Sequence, residues 1–312
     1  MDLSEFSLAP TRILIHDPRG GSALAAMDRN RLEACNFLDL PGHEELIAEY
    51  DHFRATLAEH VAVTTLGSLL GDDPEFGDEA ATNPNLMFMR DSSITLPWSP
   101  HLYIPGRLAL PSRAREAGVA GRALERLGLT RAFDFASDEY IEGGDVLPVM
   151  DEGQRILLIG FGVRTTKAAA LRLAHELIPT HLDQIIGLFH DPDLLHLDTG
   201  FTVLPNRVMV AARDMFHAGF LIDRSGMREI DPIDHAEQLG FTIVRVDKAD
   251  AIAHERCNLL PLGQGRYLAF DMPAAFKAEL EDKAAITITC VPGMEIAKAT
   301  GGVHCLTRPV YR

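Results

Sequence analysis

The stretch VLPVMDEGQRILLIG, residues 146–160, contains two apolar runs separated by a short turn, which is the pattern of a β-hairpin. The same pattern recurs in TVLPNRVMVAA at 202–212 and in NLLPLGQGRYLAF at 258–270. Each turn is accompanied by an arginine, and these arginines, at positions 155, 207 and 266, are 52 and 59 residues apart. This regular spacing predicts one structural unit that is repeated along the chain.

Helical patterns lie between and before these hairpins. Residues 165–177 are rich in Ala and Leu, residues 273–281 show a shorter version, and residues 42–60 carry apolar side chains at helical spacing. The last of these follows a strand-like segment, TRILIH, at 11–16. Residues 71–83 are acidic and rich in turn-forming residues, so they predict a surface loop.

A ββα unit of about 50–60 residues fits about five times into the 312 residues of the chain. We therefore predict an α/β fold in which residues 1–312 form one domain rather than two unlike domains. Repeated units that close on themselves would form a five-membered ring, with loops gathered around a central axis. An active site on that axis would be built from residues far apart in sequence.

The composition restricts the kinds of partner. The net charge is −16, with 45 acidic against 29 basic residues, so nucleic acids and anionic membrane surfaces are unsuitable partners. No apolar run approaches the roughly 20 residues of a membrane-spanning helix, and residues 1–10 lack the layout of a signal peptide. Four cysteines without a close pair argue against a zinc site or a disulfide framework. We expect a cytoplasmic protein with reduced thiols.

Four short segments combine polar side chains with glycine in apolar surroundings. They are NPNLMFMRD (83–91), YIEGGDVL (140–147), LLHLDTGFTVL (194–204) and ATGGVHCLTRP (299–309). Each has an ordinary structural explanation when it is taken alone: a turn cap, an acidic turn, a surface hydrogen bond and a buried strand cysteine.

Taken together, the segments contain the groups of a nucleophilic site. A cysteine nucleophile, such as Cys305, needs a neighbouring histidine, such as His196, and a carboxylate that orients it. Two further carboxylates, Asp91 and Asp198, suit a planar cation because a guanidinium pairs with carboxylates through parallel hydrogen bonds. The acidity of the chain agrees with a cationic small-molecule substrate.

In their order these motifs resemble those of the arginine deiminase branch of the guanidino-group-modifying, or pentein, superfamily. The patterns PN-x-x-F-x-RD, EGGD, H-x-D-T-x-F and GG-x-HC-x-T all occur, from about residue 83 to the C-terminus. The resemblance implies a five-bladed pseudo-symmetric α/β propeller of ββαβ units with a central active site. It also implies that Cys305 is the nucleophile, His196 the general acid and base, and Glu142 the carboxylate that orients His196.

The resemblance further implies which residues bind the substrate. The aspartates of the RD and H-x-D motifs would hold the guanidinium, while two arginines and an asparagine would bind the amino-acid end. With the aspartate of EGGD, the predicted set consists of Asp91, Asp198, Asn85, Arg113, Arg164 and Asp145. No metal or organic cofactor is required by such a site.

The implied activity is that of a C–N hydrolase acting on linear amidines. The Cys305 thiolate would attack the guanidinium carbon of arginine or a close analogue, and a covalent thiouronium intermediate would yield a ureido product and ammonia. The expected partner is this small-molecule guanidino substrate, with no nucleic acid and no membrane. A homo-oligomer is compatible with the sequence.

Two departures from the arginine deiminase pattern concern size and the mouth of the pocket. Bacterial arginine deiminases usually carry a helical insert in the first third, but only 22 residues separate His60 from Asn83 here. They also tend to have arginine where this chain has Lys298-Ala299-Thr300. The sequence therefore leaves the identity of the substrate's tail open.

Several alternative functions must be weighed against this one. An arginine dihydrolase would remove two ammonia molecules and give ornithine, and the sequence does not separate it from a deiminase. An amidinotransferase is disfavoured by EGGD at 142–145, and a dimethylarginine hydrolase by Asp198. A non-catalytic propeller, like a ribosome-binding initiation factor of this fold, would be a binding module, but it would have no need for this set of cysteine, histidine and carboxylates.

Overall fold

The computed structural model of the chain describes residues 5–20, 22–178 and 180–312. The first four residues of the N-terminal stretch 1–10, which was examined for a signal peptide, lie outside this part. The strands are β1 (Arg12–Ile15), β2 (Ala62–Thr65), β3 (Ser93–Thr95), β4 (Leu102–Pro105), β5 (Thr130–Arg131), β6 (Val146–Asp151), β7 (Gln154–Phe161), β8 (Gln184–His190), β9 (Phe201–Leu204), β10 (Val208–Ala211), β11 (Phe216–Asp223), β12 (Gly226–Ile230), β13 (Thr242–Arg245), β14 (Leu260–Gly263), β15 (Arg266–Phe270), β16 (Thr287–Val291) and β17 (Arg308–Val310). The α-helices are α1 (Ser22–Ala25), α2 (Leu32–Cys35), α3 (His43–Ala58), α4 (Leu66–Leu70), α5 (Pro74–Thr82), α6 (Glu116–Arg126), α7 (Lys167–Leu177), α8 (Leu197–Gly200), α9 (Pro232–Gln238), α10 (Lys248–His254), α11 (Ala274–Ala284) and α12 (Met294–Ala297).

The described strands form five sheets that share a three-stranded pattern, to which one sheet adds the antiparallel strands β11 and β12. Their orders are β17-β1-β2, β3-β4-β5, β6-β7-β8-β11-β12, β9-β10-β13 and β14-β15-β16. In each sheet an antiparallel pair is followed by a parallel strand that the chain reaches through helical segments. A parallel neighbour requires such a crossover, because a tight turn can only reverse the chain. The repeated unit is therefore ββαβ.

The structure confirms the predicted hairpins and helices. The three quoted stretches form β6–β7, β9–β10 and β14–β15, each an antiparallel pair. The segment at 11–16 contains β1, and the three helical patterns correspond to α3, α7 and α11. The apolar runs were sufficient here because most of their residues are buried in the apolar clusters of the fold.

The predicted surface loop at 71–83 is wrong over most of its length, because this segment contains helix α5. Asp73 caps the helix by accepting hydrogen bonds from the backbone N–H groups of Glu75 and Phe76, and proline occupies the first helical position. An Asp-Pro pair therefore marks a helix start here rather than a turn. Phe76 and Ala80 anchor α5 in an apolar cluster.

The sheets place one residue each in a common region. In every sheet, the segment just before one strand of the antiparallel pair carries a buried polar residue or cysteine. These residues are Asp91 before β3, Glu142 before β6, Asp198 before β9, Asn258 before β14 and Cys305 before β17. Among the described residues, no helix has the length and apolar character needed to cross a membrane.

Candidate active site

Cys305 lies in a fully enclosed position. Its Sγ accepts a hydrogen bond from Nδ2 of Asn258 at 3.1 Å and lies 3.5 Å from Oδ2 of Asp198. Burial, together with the nearby carboxyl groups of Asp198 and Glu255, raises the pKa of the Cys305 thiol well above its usual value of 9.0. The thiol therefore keeps its proton at neutral pH until a positive charge approaches.

His196 and Glu142 form a buried hydrogen-bonded pair. Nε2 of His196 lies 2.8 Å from Oε2 of Glu142, while Nδ1 lies 3.6 Å from Oδ1 of Asp91. Burial alone would lower the pKa of His196, but the charge of Asp91 and the bond to Glu142 outweigh it and raise this pKa to about 9. Burial has the opposite effect on a carboxyl group and would raise the pKa of Glu142. The hydrogen bond and charge of His196, with the charges of two arginines, instead lower this pKa to about 2. At neutral pH the pair is an imidazolium and a carboxylate.

Gly144 allows these groups to approach one another. A Cβ atom at this position would lie 2.9 Å from Oδ1 of Asp91 and 2.9 Å from Cγ and Nδ1 of His196. Contacts this short do not occur for real side chains, so only glycine leaves room at this point of the EGGD motif.

Only one carboxylate oxygen of Asp91 is hydrogen-bonded to the described part of the protein. Its Oδ2 accepts a hydrogen bond from Nη1 of Arg113 at 2.9 Å, while its Oδ1 has no hydrogen-bond partner in the described part of the chain. Nε and Nη2 of Arg113 donate to the two carboxylate oxygens of Glu116 at 2.6 and 2.8 Å. The two parallel N–H donors of the Arg113 guanidinium, Nε and Nη2, are therefore already paired with a carboxylate of the protein itself.

Asp198 is held in the same one-sided way. Its Oδ2 lies 2.7 Å from Nδ1 of His304, whose Nε2 lies 3.3 Å from Oε1 of Glu5. Arg90 continues the chain of contacts, because its Nη1 donates to the same Glu5 oxygen at 2.5 Å. Oδ1 of Asp198 has no hydrogen-bond partner among the described residues. His304 and Glu5 thus fix the orientation of Asp198 and leave one of its oxygens available.

Asp145 contacts the protein with both oxygens. Oδ1 accepts a hydrogen bond from the backbone N–H of Leu197 at 2.8 Å, and Oδ2 accepts one from the hydroxyl of Thr165 at 2.6 Å. Leu197 lies between His196 and Asp198 in the chain. The geometry therefore favours a positioning role for Asp145 over the substrate contact that the sequence predicted.

Arg164 keeps part of its fork free. Its Nη1 donates to both carboxylate oxygens of Glu142, at 3.3 and 3.1 Å. Within the described residues, Nε and Nη2 of Arg164 have no hydrogen-bond partner. Of the two predicted tail-binding arginines, Arg164 rather than Arg113 can accept another carboxylate without releasing an existing one.

The C-terminal end of α2 and the residues that follow it contact two of the predicted segments. The side-chain amide of Asn85 donates to the backbone carbonyl of Cys35 at 2.9 Å, and the hydroxyl of Thr300 donates to that of Asn36 at 2.7 Å. The backbone N–H of Leu38 donates to the carbonyl of Lys298 at 2.7 Å. Residues 35–38 therefore connect Asn85 to the run 298–300.

The predicted site residues are brought together, and all of them are at most 5% exposed. The sequence did not single out four further residues that hold them: His304, Asn258, Glu5 and Glu116. His304 was visible inside the GG-x-HC motif, next to the cysteine. Asn258 and Glu5 had no signal, because their contacts depend on distant parts of the chain. Glu116 lies only three residues after Arg113, and this spacing could have indicated their ion pair.

A metal ion is a poor fit to this cluster. Three residues, Asp91, Glu142 and His196, each offer one atom that could bind a metal ion. These three atoms lie within 4.8 Å of one another, which satisfies the distance requirement for a shared cation. However, Arg113 places Nη1 at 2.9 Å from Asp91 and 3.7 Å from Glu142. A guanidinium of the protein therefore already balances these carboxylates, and a divalent ion would be repelled by it.

Solved structures show which class of protein has this fold. The N-terminal domain of ArgZ, an arginine dihydrolase from the ornithine–ammonia cycle in cyanobacteria, matches with a TM-score of 0.71 at 19% identity, over 96% of this chain and 97% of that one. A dimethylarginine dimethylaminohydrolase matches with a TM-score of 0.67 at 16% identity, over 96% and 99%. The chain thus has the fold of the guanidino-modifying, or pentein, enzymes.

Sequence comparison identifies the family within this class. The arginine deiminase of Mycobacterium tuberculosis (strain H37Rv) is 31% identical over 252 residues, which cover 73% of this chain and 61% of that protein. That of Rhodococcus opacus is 30% identical over 253 residues, covering 73% and 60%. The chain therefore spans about three-fifths of the length of these curated relatives. The arginine deiminase family model matches residues 79–312, and the chain belongs to this family.

Proposed function

We propose that this protein hydrolyses the guanidino group of arginine or a close analogue, giving a ureido product and ammonia. The observation that carries the proposal is a buried thiol, Cys305, beside two aspartates that each keep one oxygen without a partner. A guanidinium has N–H groups directed to both sides, and Asp91 and Asp198 would accept them. Family membership supports the same reaction.

The substrate's own charge would activate the nucleophile. The carboxyl groups around Cys305 keep its proton in place, and a cation bound between Asp91 and Asp198 reverses the sign of the local field. Once the thiol has released its proton to the solvent, Sγ attacks the central guanidinium carbon, a C–S bond forms and the C=N bond electrons move to nitrogen. Such substrate-assisted ionisation limits the reactive thiolate to the occupied site.

His196 would transfer the protons of both half-reactions. Its imidazolium gives a proton to one nitrogen of the tetrahedral adduct, the C–N bond breaks and ammonia leaves. The neutral ring then takes a proton from water, whose oxygen attacks the thiouronium carbon. The C–S bond breaks, the thiolate of Cys305 is restored, and the remaining hydroxyl proton passes to the solvent as the ureido product forms. Glu142 keeps Nε2 of His196 in place throughout.

We also infer that residues 1–312 act as a single domain, in which the five sheets surround the site as the blades of a pseudo-symmetric propeller. Two features of the chain support a closed ring. Each sheet supplies at least one residue to the site, and β1 pairs with β17, which links the first unit to the last.

The test is incubation of the purified protein with arginine and a panel of other guanidino compounds, with ammonia, citrulline and ornithine all measured. One ammonia and one citrulline per arginine support the deiminase reaction. Ornithine with two ammonia molecules would identify the dihydrolase alternative, and amidino transfer to an added amine would identify an amidinotransferase. No product from any guanidino compound would reject the proposal.

The pH dependence of turnover follows from His196. We expect kcat/KM to fall as the pH rises through about 9, because His196 then loses the proton that it gives to ammonia. In Glu142→Gln this alkaline limb should move toward neutral pH, because a hydrogen bond and a charge that raise the pKa of His196 are lost. Initial rates from about pH 6 to about pH 10 measure both profiles. An unchanged limb in Glu142→Gln would contradict the assignment.

Unfolding must be measured over the same range as a control. The folded-state pKa of His196 lies above its ordinary value of 6.5, so its contribution to the free energy of unfolding is complete below pH 6.5. That contribution is lost as the pH rises through about 9. The Tm therefore declines in the same region, and rates must be taken well below the Tm at each pH.

The role of Arg164 is tested by the tail of the substrate. Lysine cannot reproduce the planar fork, so Arg164→Lys should raise the KM for arginine by about tenfold or more. Agmatine, which lacks the carboxylate, should be a poor substrate of the wild-type protein. Arg172→Lys on the surface of α7 is the matched control. A kcat/KM for agmatine equal to that for arginine would remove Arg164 and Arg113 from the substrate contacts.

A further inference from the structure

Unpartnered carboxylate oxygens are concentrated around the nucleophile. In the described part of the chain, five buried carboxylate oxygens have no hydrogen-bond partner. Four of them belong to residues whose charges act on the Cys305 thiol, namely Asp91 Oδ1, Asp198 Oδ1 and both oxygens of Glu255. Buried oxygens of this kind are costly unless a donor reaches them, so their grouping indicates a ligand rich in N–H groups.

Glu255 is the member of this group that neither the motifs nor the proposed reaction uses. It follows α10 directly, is 3% exposed and has a φ of +52°, a left-handed conformation that a glutamate adopts only at a cost. Its backbone carbonyl accepts a hydrogen bond from the N–H of Asn258 at 3.0 Å. Asn258 in turn contacts Cys305 Sγ and the carbonyl of Asp198. One tight turn thus connects Glu255 to the nucleophile.

The charges that face Glu255 come from the site itself. Helix α10 packs against α8, which carries Asp198. Burial first, and the charge of Asp198 second, raise the pKa of Glu255 well above 4.5, while His196 opposes them. The other titratable groups that interact with Glu255 are the thiols of Cys305 and Cys257. Burial and the charge of Asp198 both favour the protonated form of Glu255 while no cation is bound beside it.

We propose that Glu255 is a third carboxyl group of the guanidinium pocket, which accepts hydrogen bonds from the substrate together with Asp91 and Asp198. The inference rests on the proposed function. A monosubstituted guanidinium offers five N–H donors, and the two aspartates provide one free oxygen each. The oxygens of Glu255 would accept hydrogen bonds from the remaining N–H groups of the guanidinium, which would otherwise be buried without a partner. The pocket consequently selects a guanidino end whose terminal nitrogens carry no alkyl groups.

Binding of a cation then ionises Glu255. A positive charge placed beside the buried acid favours the carboxylate form, so the proton of Glu255 passes to the solvent when the substrate binds. The expected signature is release of about one proton per bound arginine at neutral pH. The thiol of Cys305 also loses a proton on binding, so the measurement is made in Cys305→Ala, where Glu255 remains as the source.

The experiment is calorimetric titration of Cys305→Ala with arginine in two buffers of different ionisation enthalpy. We expect proton release in Cys305→Ala, and its loss in the double variant with Glu255→Gln, together with a Kd increased by at least about tenfold. Glu237→Gln, the same change on the exposed face of α9, should alter neither quantity. Should Glu255→Gln fail to fold, as judged by its Tm, Glu255→Ala takes its place.

The outcomes separate this inference from the proposed reaction. Arginine binding without proton release, or with the same Kd after Glu255→Gln, overturns the role of Glu255 even if wild-type protein produces citrulline. Proton-linked binding that depends on Glu255, with no turnover in the wild type, supports the pocket and rejects the hydrolase. No binding of arginine or of any other guanidino compound rejects both.

Discussion

Replacing Cys305 with alanine is expected to abolish ammonia release from arginine, with kcat reduced by at least about 10⁴-fold. The loss should be this large because the C–S bond of the covalent intermediate cannot form without the sulfur, and no other cysteine thiol among the described residues takes part in the hydrogen bonds of the site. Acid quenching followed by mass spectrometry should detect a covalent adduct in the wild-type protein and none in Cys305→Ala.

Cys290→Ala is the matched control. Cys290 lies on β16, is only partly buried, and its replacement removes the same side-chain atoms far from Asp198 and His196. Its turnover should stay within about twofold of wild type. Equal Tm values for Cys305→Ala and wild type would show that the fold is retained. Turnover by Cys305→Ala at the wild-type rate would reject the nucleophile and with it the proposed mechanism.

The second large effect is expected from the two aspartates of the guanidinium pocket. Asp91→Asn and Asp198→Asn keep the shape of the side chain and remove its charge. A hydrogen bond to a charged group contributes about 1.5–3 kcal/mol, so each variant should lower kcat/KM by at least about tenfold. The decrease in kcat/KM should be larger for Asp198→Asn, because this change also disturbs the contact with His304. The Asp198 side chain in addition lies 3.5 Å from Cys305 Sγ.

A pH profile distinguishes the two aspartate variants. The charge of Asp91 is the largest of the influences that raise the pKa of His196, so Asp91→Asn should shift the alkaline limb of kcat/KM toward neutral pH. We expect no comparable shift for Asp198→Asn. The exposed Asp138→Asn serves as the control and should behave like wild type. If both pocket variants retain wild-type kcat/KM, the substrate is not a guanidinium held between these residues.

The hairpins and long helices could be predicted because their signals are local. The alternation of apolar runs and turns in 146–160 reflects β6 and β7 directly, and the same holds for the two later hairpins. Helix α5 escaped prediction because its N-terminal signals, Asp73 and Pro74, are also residues that form turns. The buried positions of Phe76 and Ala80 only become evident once the neighbouring elements are in place.

The residues of the candidate site that lie in short motifs could be predicted from the sequence. The residues that hold them in place through contacts between distant segments could not. The segments with Asp91, Glu142, His196 and Cys305 stand out as polar groups beside glycine in apolar sequence. Their supports do not, because a lone Glu5 near one end has nothing that marks it as the partner of His304. Local sequence also does not indicate whether an oxygen is free or occupied, and this property separates Asp145 from the two pocket aspartates.

Because each of the five sheets contributes at least one residue to the candidate site, assembly of the site requires contacts between distant parts of the chain. The contact between His304 and Glu5 joins positions 299 residues apart. Contacts of such separation form late in refolding, because large loops must close first. Recovery of turnover after dilution from denaturant should therefore lag behind recovery of helical circular dichroism. If the proposed activity requires all five sheets, a proteolytic fragment that retains only four of them should be inactive.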